Sequence, residues 1–163
     1  MMVKTDYASP LGTLTLASDG ENLTGLWMAG QKYFAAGIPT NLPVSDDLPV
    51  FSKARDWLDR YFSGERPLPG ELPLAPQGSA FRQSVWRILC EIPYGQTVTY
   101  GEIAKRLPCK SAQAVGGAVG HNPISIIIPC HRVLGSDGSL TGYAGGAQKK
   151  IWLLAHEGAQ FRA

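Results

Sequence analysis

A stretch rich in proline and glycine constrains the fold of this 163-residue chain more than any other feature of its sequence. Between residues 64 and 78 it contains four prolines and three glycines. Such a segment can neither continue a helix nor pair as a central strand, because proline lacks a backbone N–H and glycine weakens both structures. We therefore predict two domains, residues 1–78 and 79–163, with the linker beginning at about residue 64.

The N-terminal part has the pattern of a small sheet with one helix. Alternating apolar and polar residues on both sides of a turn predict a β-hairpin, with strands at Leu11–Ala17 and Leu23–Met28. Apolar residues recur at helical spacing between Val50 and Phe62 and predict a helix that packs on the sheet, with Pro49 at its start and Gly64 as its stop. Residues 1–78 contain no histidine and no cysteine, so we expect this part to be scaffold.

After the linker, three helices are predicted. The first has its apolar face within Phe81–Ile92. Thr99 and Glu102 have the spacing of a capping box that opens a short second helix, and Ser111 can cap a third that runs to Gly120. A helix, a short break and a helix of small residues form the pattern of a helix-turn-helix. By itself this pattern is weak, because any pair of helices joined by a tight turn has the same appearance.

Composition and charge narrow the class of protein. Residues 1–79 carry six Lys/Arg and nine Asp/Glu, whereas residues 80–163 carry nine and four, which gives net charges of −3 and +5. The basic part is where an anionic partner such as nucleic acid would bind, although a solvated surface has the same composition. The N-terminus lacks a secretory pattern, and three cysteines at unrelated spacings indicate no disulfide framework. We expect a globular cytoplasmic protein with no membrane partner.

A cysteine, a histidine and an arginine follow one another at Cys130, His131 and Arg132. They come after the β-branched run Ile124–Ile128, which predicts a short buried strand with the thiol beyond its end. A neighbouring imidazole or cation lowers the pKa of a thiol and produces the thiolate that acts as a nucleophile. A lone buried cysteine is more often a small core residue, and we expect this of the other two cysteines.

These residues belong to a longer run that closely resembles the O6-alkylguanine-DNA alkyltransferases. The resemblance extends from about Phe81 to Glu157. Its most specific parts are Asn122-Pro123, Pro129-Cys130-His131-Arg132-Val133 and Tyr143-Ala144-Gly145-Gly146, and the run from Lys150 to Gly158 also matches. It implies an α/β (α+β) fold, with a ribonuclease-H-like sheet-and-helix domain followed by a mainly helical domain that carries a winged-type helix-turn-helix.

The resemblance implies a DNA repair protein that is used once. The family binds the minor groove of double-stranded DNA, flips an O6-alkylated guanine out of the duplex and transfers the alkyl group to the cysteine. O4-alkylthymine is a further expected substrate. The thioether product does not hydrolyse, so the protein is consumed. We expect a monomer without a cofactor, associated with the nucleoid when it is bound to DNA, and without the zinc site that some relatives carry, because the matching Cys/His cluster is missing from this sequence.

The resemblance also implies roles for individual residues. Cys130 is the alkyl acceptor, and His131, oriented by Glu157, removes the thiol proton through a water molecule. Asn122 braces the turn that leads to the active site. The residues expected to contact DNA or the flipped base are Tyr100, Ala112, Gln113, Ala114, Gly116, Ser136, Tyr143 and Lys150.

Gln113 departs from the family pattern, which has an arginine that fills the gap left by the extruded base. Glutamine can enter the base stack and form hydrogen bonds, but it brings no positive charge. We therefore expect weaker DNA binding or slower repair, with phosphate contacts supplied by Lys105, Arg106 and Lys110.

Two other functions stay open at this point. A Cys-His hydrolase would also need a thiolate, but it requires an oxyanion hole that the sequence does not indicate. A non-catalytic protein that binds alkylguanine, similar to the alkyltransferase-like proteins, has another residue in place of the acceptor cysteine. The presence of Cys130 therefore argues against it.

Overall fold

The computed structural model describes residues 2–29, 41–108, 111–140 and 146–161. The chain forms two compact units: Met1–Gln77 with Pro123–Ile127, and Gly78–Asn122 with Ile128–Ala163. The predicted division at residue 78 did not include the return of Pro123–Ile127 to the first unit. The Gly/Pro-rich segment predicted as a linker belongs, up to Gln77, to the first unit as well.

The first unit is built on a three-stranded antiparallel sheet. Its strands are β1 (Val3–Ser9), β2 (Gly12–Ser18) and β3 (Leu23–Met28), in the order β1-β2-β3. Strands β2 and β3 confirm the predicted hairpin, and β1 adds a strand that was not predicted. Every residue of β3 is buried, so the core of this unit lies against that strand.

Helix α1 (Pro49–Phe62) covers the sheet and has proline at its first turn, as predicted. Its buried residues are Val50, Phe51, Ala54, Trp57, Leu58 and Tyr61. The Trp57 indole N–H donates to the Leu68 carbonyl at 2.8 Å, and the Arg60 guanidinium pairs with Glu71 at 2.9 Å. The Gly/Pro-rich segment therefore folds along α1.

The edge of β3 that does not face β2 is closed by two short bridges. The N–H of Leu23 donates to the Pro73 carbonyl at 2.8 Å, and the N–H of Leu26 donates to the Pro123 carbonyl at 2.8 Å. The N–H of Ser125 in turn donates to the Leu26 carbonyl at 3.0 Å. These bonds satisfy backbone groups that the burial of β3 takes out of water.

The predicted strand at Ile124–Ile128 is wrong. Ile124 makes an isolated bridge, and the chain then turns at Ile126, whose φ is +69°. The N–H of Ile127 donates to the Ser125 carbonyl at 2.8 Å, which closes a γ-turn with a positive central φ, a rare and strained conformation for a β-branched residue. The local bond takes the place of strand pairing, so the β-branched composition does not decide the structure here.

The second unit is mainly helical. It contains α2 (Ala80–Leu89), α3 (Tyr100–Ala104), α4 (Ala112–Gly120) and α5 (Ala147–Glu157), together with two short parallel strands, β4 (Val98–Thr99) and β5 (Val133–Leu134). Helices α2, α3 and α4 confirm the three predicted helices. Within the described ranges, no helix has the length and apolar character needed to cross a membrane.

Side-chain caps fix the starts of α3 and α4. The Glu102 N–H donates to Thr99 Oγ1 at 3.1 Å and the Ala114 N–H donates to Ser111 Oγ at 3.1 Å, so the predicted capping box and cap are both confirmed. Each such cap stabilises a helix by about 1 kcal/mol. The two helices form the predicted pair, and residues 109–110 between them lie outside the described part of the chain.

Candidate active site

Cys130 opens a short 3-10 helix, Cys130–Arg132, that leads directly into β5. The sequence predicted a strand immediately before the thiol. This is wrong, because Ile124 forms only an isolated bridge there, and the strand β5 follows the thiol instead. Pro129, with φ −80° and ψ 66°, lets the Cys130 N–H donate to the Ile128 carbonyl at 2.8 Å and so forms an inverse γ-turn. Cys130 is only 3% exposed, so the turn holds the thiol inside the unit.

Two polar side chains act on the thiol. Burial raises the pKa of Cys130, while a hydrogen bond from the Asn122 amide and the positive charge of Lys150 oppose that rise. The Asn122 amide also donates to the Ile128 carbonyl at 2.8 Å, so it is anchored to the turn that precedes Cys130. Because burial prevails, the thiol carries its proton at neutral pH and needs a base to become a nucleophile.

His131 is fully buried, and its Nε2 lies 2.6 Å from Glu157 Oε2. Burial lowers the pKa of His131 despite the opposing effect of Glu157, so the imidazole is neutral. Burial by itself would raise the pKa of Glu157, but hydrogen bonds from His131 and Arg132 and the positive charge of Arg132 lower it well below its usual range. The carboxylate therefore accepts the Nε2 proton, and Nδ1, which has no hydrogen-bond partner among the described residues, keeps its lone pair.

Arg132 holds Glu157 from the other side. Its Nε donates to Oε1 at 2.8 Å, its Nη2 donates to Oε2 at 3.0 Å, and its Nη1 donates to the Ile92 carbonyl at 2.7 Å. The guanidinium carbon lies 5.7 Å from the centre of the Tyr94 ring, and the Gly95 N–H donates to Glu157 Oε1 at 3.2 Å. The sequence did not indicate Ile92, Tyr94 or Gly95 as partners of Arg132 and Glu157. A carboxylate that is buried, as Glu157 is, requires several hydrogen-bond donors, and this requirement is the signal that could have indicated further partners.

Helix α5 supplies both Glu157 and Lys150. Lys150 is fully buried, and its Nζ donates to the Val133 carbonyl at 2.6 Å. Burial lowers the pKa of Lys150 to about 8, and the charge of the Cys130 thiolate opposes that shift. The structure thus brings Cys130, Asn122 and Lys150 together, with the pair of His131 and Glu157 alongside.

Helix α4 presents small side chains to solvent. The exposed positions on this helix are Ala112, Gln113, Ala114 and Gly117. Gly116 is half-buried, and a Cβ placed on it would lie 4.0 Å from Cδ1 of Tyr100, the first residue of α3. The structure therefore brings Tyr100 and Gly116 together at the contact of the two helices.

The remaining predicted site residues lie elsewhere or outside the described ranges. Ser136 is exposed in a turn in which the Gly138 N–H donates to the Gly135 carbonyl at 2.8 Å. Lys105 and Arg106 are exposed after α3, and Arg106 pairs with Glu91 at 3.0 Å. The positions outside the described residues are Cys109, Lys110 and Tyr143.

The arrangement is that of a thiol nucleophile with an imidazole base and a carboxylate that fixes the imidazole tautomer. Across the described residues, no group of three or more His, Cys, Asp or Glu side chains is placed to hold a metal ion.

Comparison with known proteins identifies relatives over both units. The family model of the 6-O-methylguanine DNA methyltransferase ribonuclease-like domain matches residues 2–76, and that of the DNA binding domain matches residues 80–159. A methylated-DNA--protein-cysteine methyltransferase of Haemophilus influenzae is 49% identical over 154 residues, which cover 94% of this chain and 84% of the relative. A protein of the same name from Mycobacterium tuberculosis is 47% identical over 150 residues, covering 91% and 88%.

A solved structure agrees with these sequence matches. The crystal structure of Mycobacterium tuberculosis OGT in complex with DNA aligns with a TM-score of 0.82 at 44% identity and covers 96% of this chain and 92% of that chain. Family models match both parts of the sequence, and the similarity extends over nearly the whole length of each relative. This chain belongs to the 6-O-methylguanine DNA methyltransferase family.

Proposed function

We propose that this chain repairs alkylated DNA by transferring the alkyl group of O6-alkylguanine, and of O4-alkylthymine, to Cys130, once per molecule. The observation that carries the proposal is the buried Cys130 beside His131, whose Nε2 is committed to Glu157 while Nδ1 stays open to accept a proton. The relatives are named methylated-DNA--protein-cysteine methyltransferases, and transfer of a methyl group to a cysteine requires such a thiol.

Activation of the thiol follows from the charges of the site. His131 Nδ1 takes the thiol proton through a water molecule, and the Glu157 carboxylate stabilises the imidazolium that results. Arg132 keeps Glu157 ionised and correctly oriented. The Asn122 amide and the Lys150 charge stabilise the thiolate as it forms.

The transfer is a displacement at carbon. Sγ of Cys130 attacks the sp3 carbon attached to O6, so the C–S bond forms while the C–O bond breaks. The electron pair of that bond leaves with O6, and guanine takes up a proton to return to its normal form. A buried thioether offers no bond that water can hydrolyse readily, so each molecule acts once.

DNA recognition is assigned to the face of α4 that carries small side chains. A helix without bulky groups can press its backbone into the minor groove, and the cost of flipping the base is a few kcal/mol that contacts in the pocket must offset. Tyr100, Ser136 and Tyr143 are the proposed base contacts, and Gln113 takes the place of the flipped base. The protein acts as a monomer in the cytoplasm, at the nucleoid when bound to DNA.

A cysteine exchange separates repair from lesion binding. We expect Cys130→Ala to bind a duplex that contains one O6-methylguanine as wild type does, measured by fluorescence anisotropy, but to leave the lesion intact, measured by nucleoside chromatography. Cys90→Ala is the matched control, because Cys90 is the other described free cysteine, and it should repair normally. Removal of the lesion by Cys130→Ala would overturn the proposal, and an intact lesion after treatment with wild type would point to a non-catalytic lesion-binding protein.

A further inference from the structure

Helix α4 has a low intrinsic stability. It has nine residues, and three of them are Gly116, Gly117 and Gly120. Isolated helices of fewer than about 12 residues are marginal in water, and each interior glycine weakens a helix relative to alanine. Of the three glycines, Gly117 is exposed and forms part of the face that Ala112 and Ala114 also present. The position of α4 must therefore be set by contacts from outside the helix.

The carboxyl end of α4 receives such a contact from α2. The last carbonyls of a helix have no partner within the helix, so they need other donors. The indole Nε1–H of Trp86, a residue of α2, donates to the Ala118 carbonyl at 2.9 Å. Nδ1 of His121 lies 2.7 Å from the Gly117 carbonyl. The His121 backbone N–H lies 3.3 Å from the same Ala118 carbonyl, so the Trp86 bond is the shorter of the two and comes from a different helix.

The Trp86 ring is itself held in place. The side chain is 2% exposed, and a Cβ placed on Gly78 would lie 2.4 Å from its Cη2 atom. A side chain at residue 78 would therefore have to displace the ring. A rigid, confined indole donates its N–H in one fixed direction, so the bond to Ala118 fixes the end of α4 relative to α2.

We infer that Trp86 is a positioning residue for DNA binding: its indole holds α4 at the angle that presents the small side chains to the duplex. The inference rests on the proposed role of α4 in binding DNA. Trp86 has no part in the thiol chemistry, which depends on Cys130 and the residues around it. Loss of the indole N–H therefore weakens DNA binding and leaves the reactivity of the thiol unchanged.

The test is Trp86→Phe, which keeps an aromatic ring and removes the donor. The Kd for an unmodified, fluorescein-labelled duplex should rise by about 3- to 10-fold, the change that loss of one hydrogen bond produces. The second-order rate of alkylation by free O6-benzylguanine, followed by intact mass, should stay within about 2-fold of wild type. General destabilisation would not raise the duplex Kd while leaving the benzylguanine rate unchanged.

Trp57→Phe is the matched control. Trp57 is also 2% exposed and donates its indole N–H to a backbone carbonyl, that of Leu68, at 2.8 Å in the first unit. It should lower the unfolding midpoint as Trp86→Phe does and leave the Kd unchanged. An unchanged Kd in Trp86→Phe, or an equal fall in the benzylguanine rate, would overturn the inference.

Gly78→Ala tests the inference a second way and covers the case in which Trp86→Phe fails to fold. The added Cβ displaces the indole without removing it, so the same split between duplex affinity and benzylguanine rate is expected. An unchanged duplex Kd in this variant would contradict the inference. Failure of wild type to bind the duplex, or to remove O6-methylguanine from a duplex that contains it, would instead contradict the proposed function.

Discussion

Among the single side chains of the site, Glu157 has the largest number of polar partners. Its carboxylate is bonded to His131, to two nitrogens of Arg132 and to the N–H of Gly95. The hydrogen bond with His131 and the bidentate contact with Arg132 together lower the pKa of Glu157, and the ionised carboxylate fixes the imidazole tautomer. Removal of one member of a buried ion pair leaves an uncompensated charge, which costs about 3–5 kcal/mol.

A double-mutant cycle tests this pair. We expect Glu157→Gln and Arg132→Met each to lower the free energy of unfolding by about 3 kcal/mol, and the double variant to lose less than the two single losses together. Urea unfolding of the four proteins at pH 7 measures the coupling. Strictly additive losses would show that Arg132 and Glu157 do not act as a pair.

Lys150 gives a pH dependence with a definite sign. Its pKa in the folded protein is lowered to about 8, whereas an unfolded lysine titrates near about 10.4. Between these values the unfolded chain binds more protons, so this residue makes stability rise as the pH rises. Relative to Lys150→Met, wild type should gain up to about 3 kcal/mol of unfolding free energy between pH 8 and 10.5. Parallel pH curves for the two proteins would contradict the burial of the charged lysine.

Among the helices, α4 combines low intrinsic stability with a narrow surface, and one exchange tests both properties. Gly117 is exposed, and a Cβ placed there meets nothing within 4 Å. We expect Gly117→Ala to stabilise the protein by about 0.5–1 kcal/mol, because alanine is the better helix former. The same methyl should weaken duplex binding severalfold if the backbone presses into the groove. Thermal unfolding and anisotropy measure the two effects, and unweakened binding would contradict the proposed interface.

The elements that the sequence predicted correctly are those whose signals are local. Each depends on residues that are close in the sequence: a turn between alternating strands for the β2–β3 hairpin, an apolar repeat at helical spacing for α1, and a three-residue spacing for the Thr99–Glu102 capping box. The errors arise where distant or tight contacts decide the structure. Strands β4 and β5 have two residues each and pair across more than thirty positions, and the turn at Ile126 interrupts a run with strong strand preference.

The same distinction applies to the site. The motif indicated Cys130 and His131 because they are adjacent, and the family resemblance added Glu157 and Asn122. The Gly95 N–H and the Tyr94 ring were missed because nothing in their own sequence shows that the N–H reaches a carboxylate 62 positions away or that the ring lies beside the Arg132 guanidinium. Contacts of this kind follow from the packing of α5 and become visible in the structure.

For the molecule as a whole, the positive charge is concentrated in the part of the chain that is proposed to bind DNA and to carry the reactive thiol. The net charge of the chain is only +2, yet residues 80–163 carry +5 and residues 1–79 carry −3. The positive part contains the helix pair and the thiol, and the negative part is built around a sheet and α1. An anionic duplex is therefore attracted to the part of the chain that performs the chemistry.

The intact mass of the protein before and after incubation with a duplex that contains one O6-methylguanine, followed by peptide mapping, decides whether Cys130 accepts the alkyl group. We expect the gain of a single methyl group on the peptide that holds Cys130, unmodified guanine in the DNA, and no further repair when fresh duplex is added. An unchanged mass with the lesion still present, or repeated turnover without a modified cysteine, would contradict this expectation.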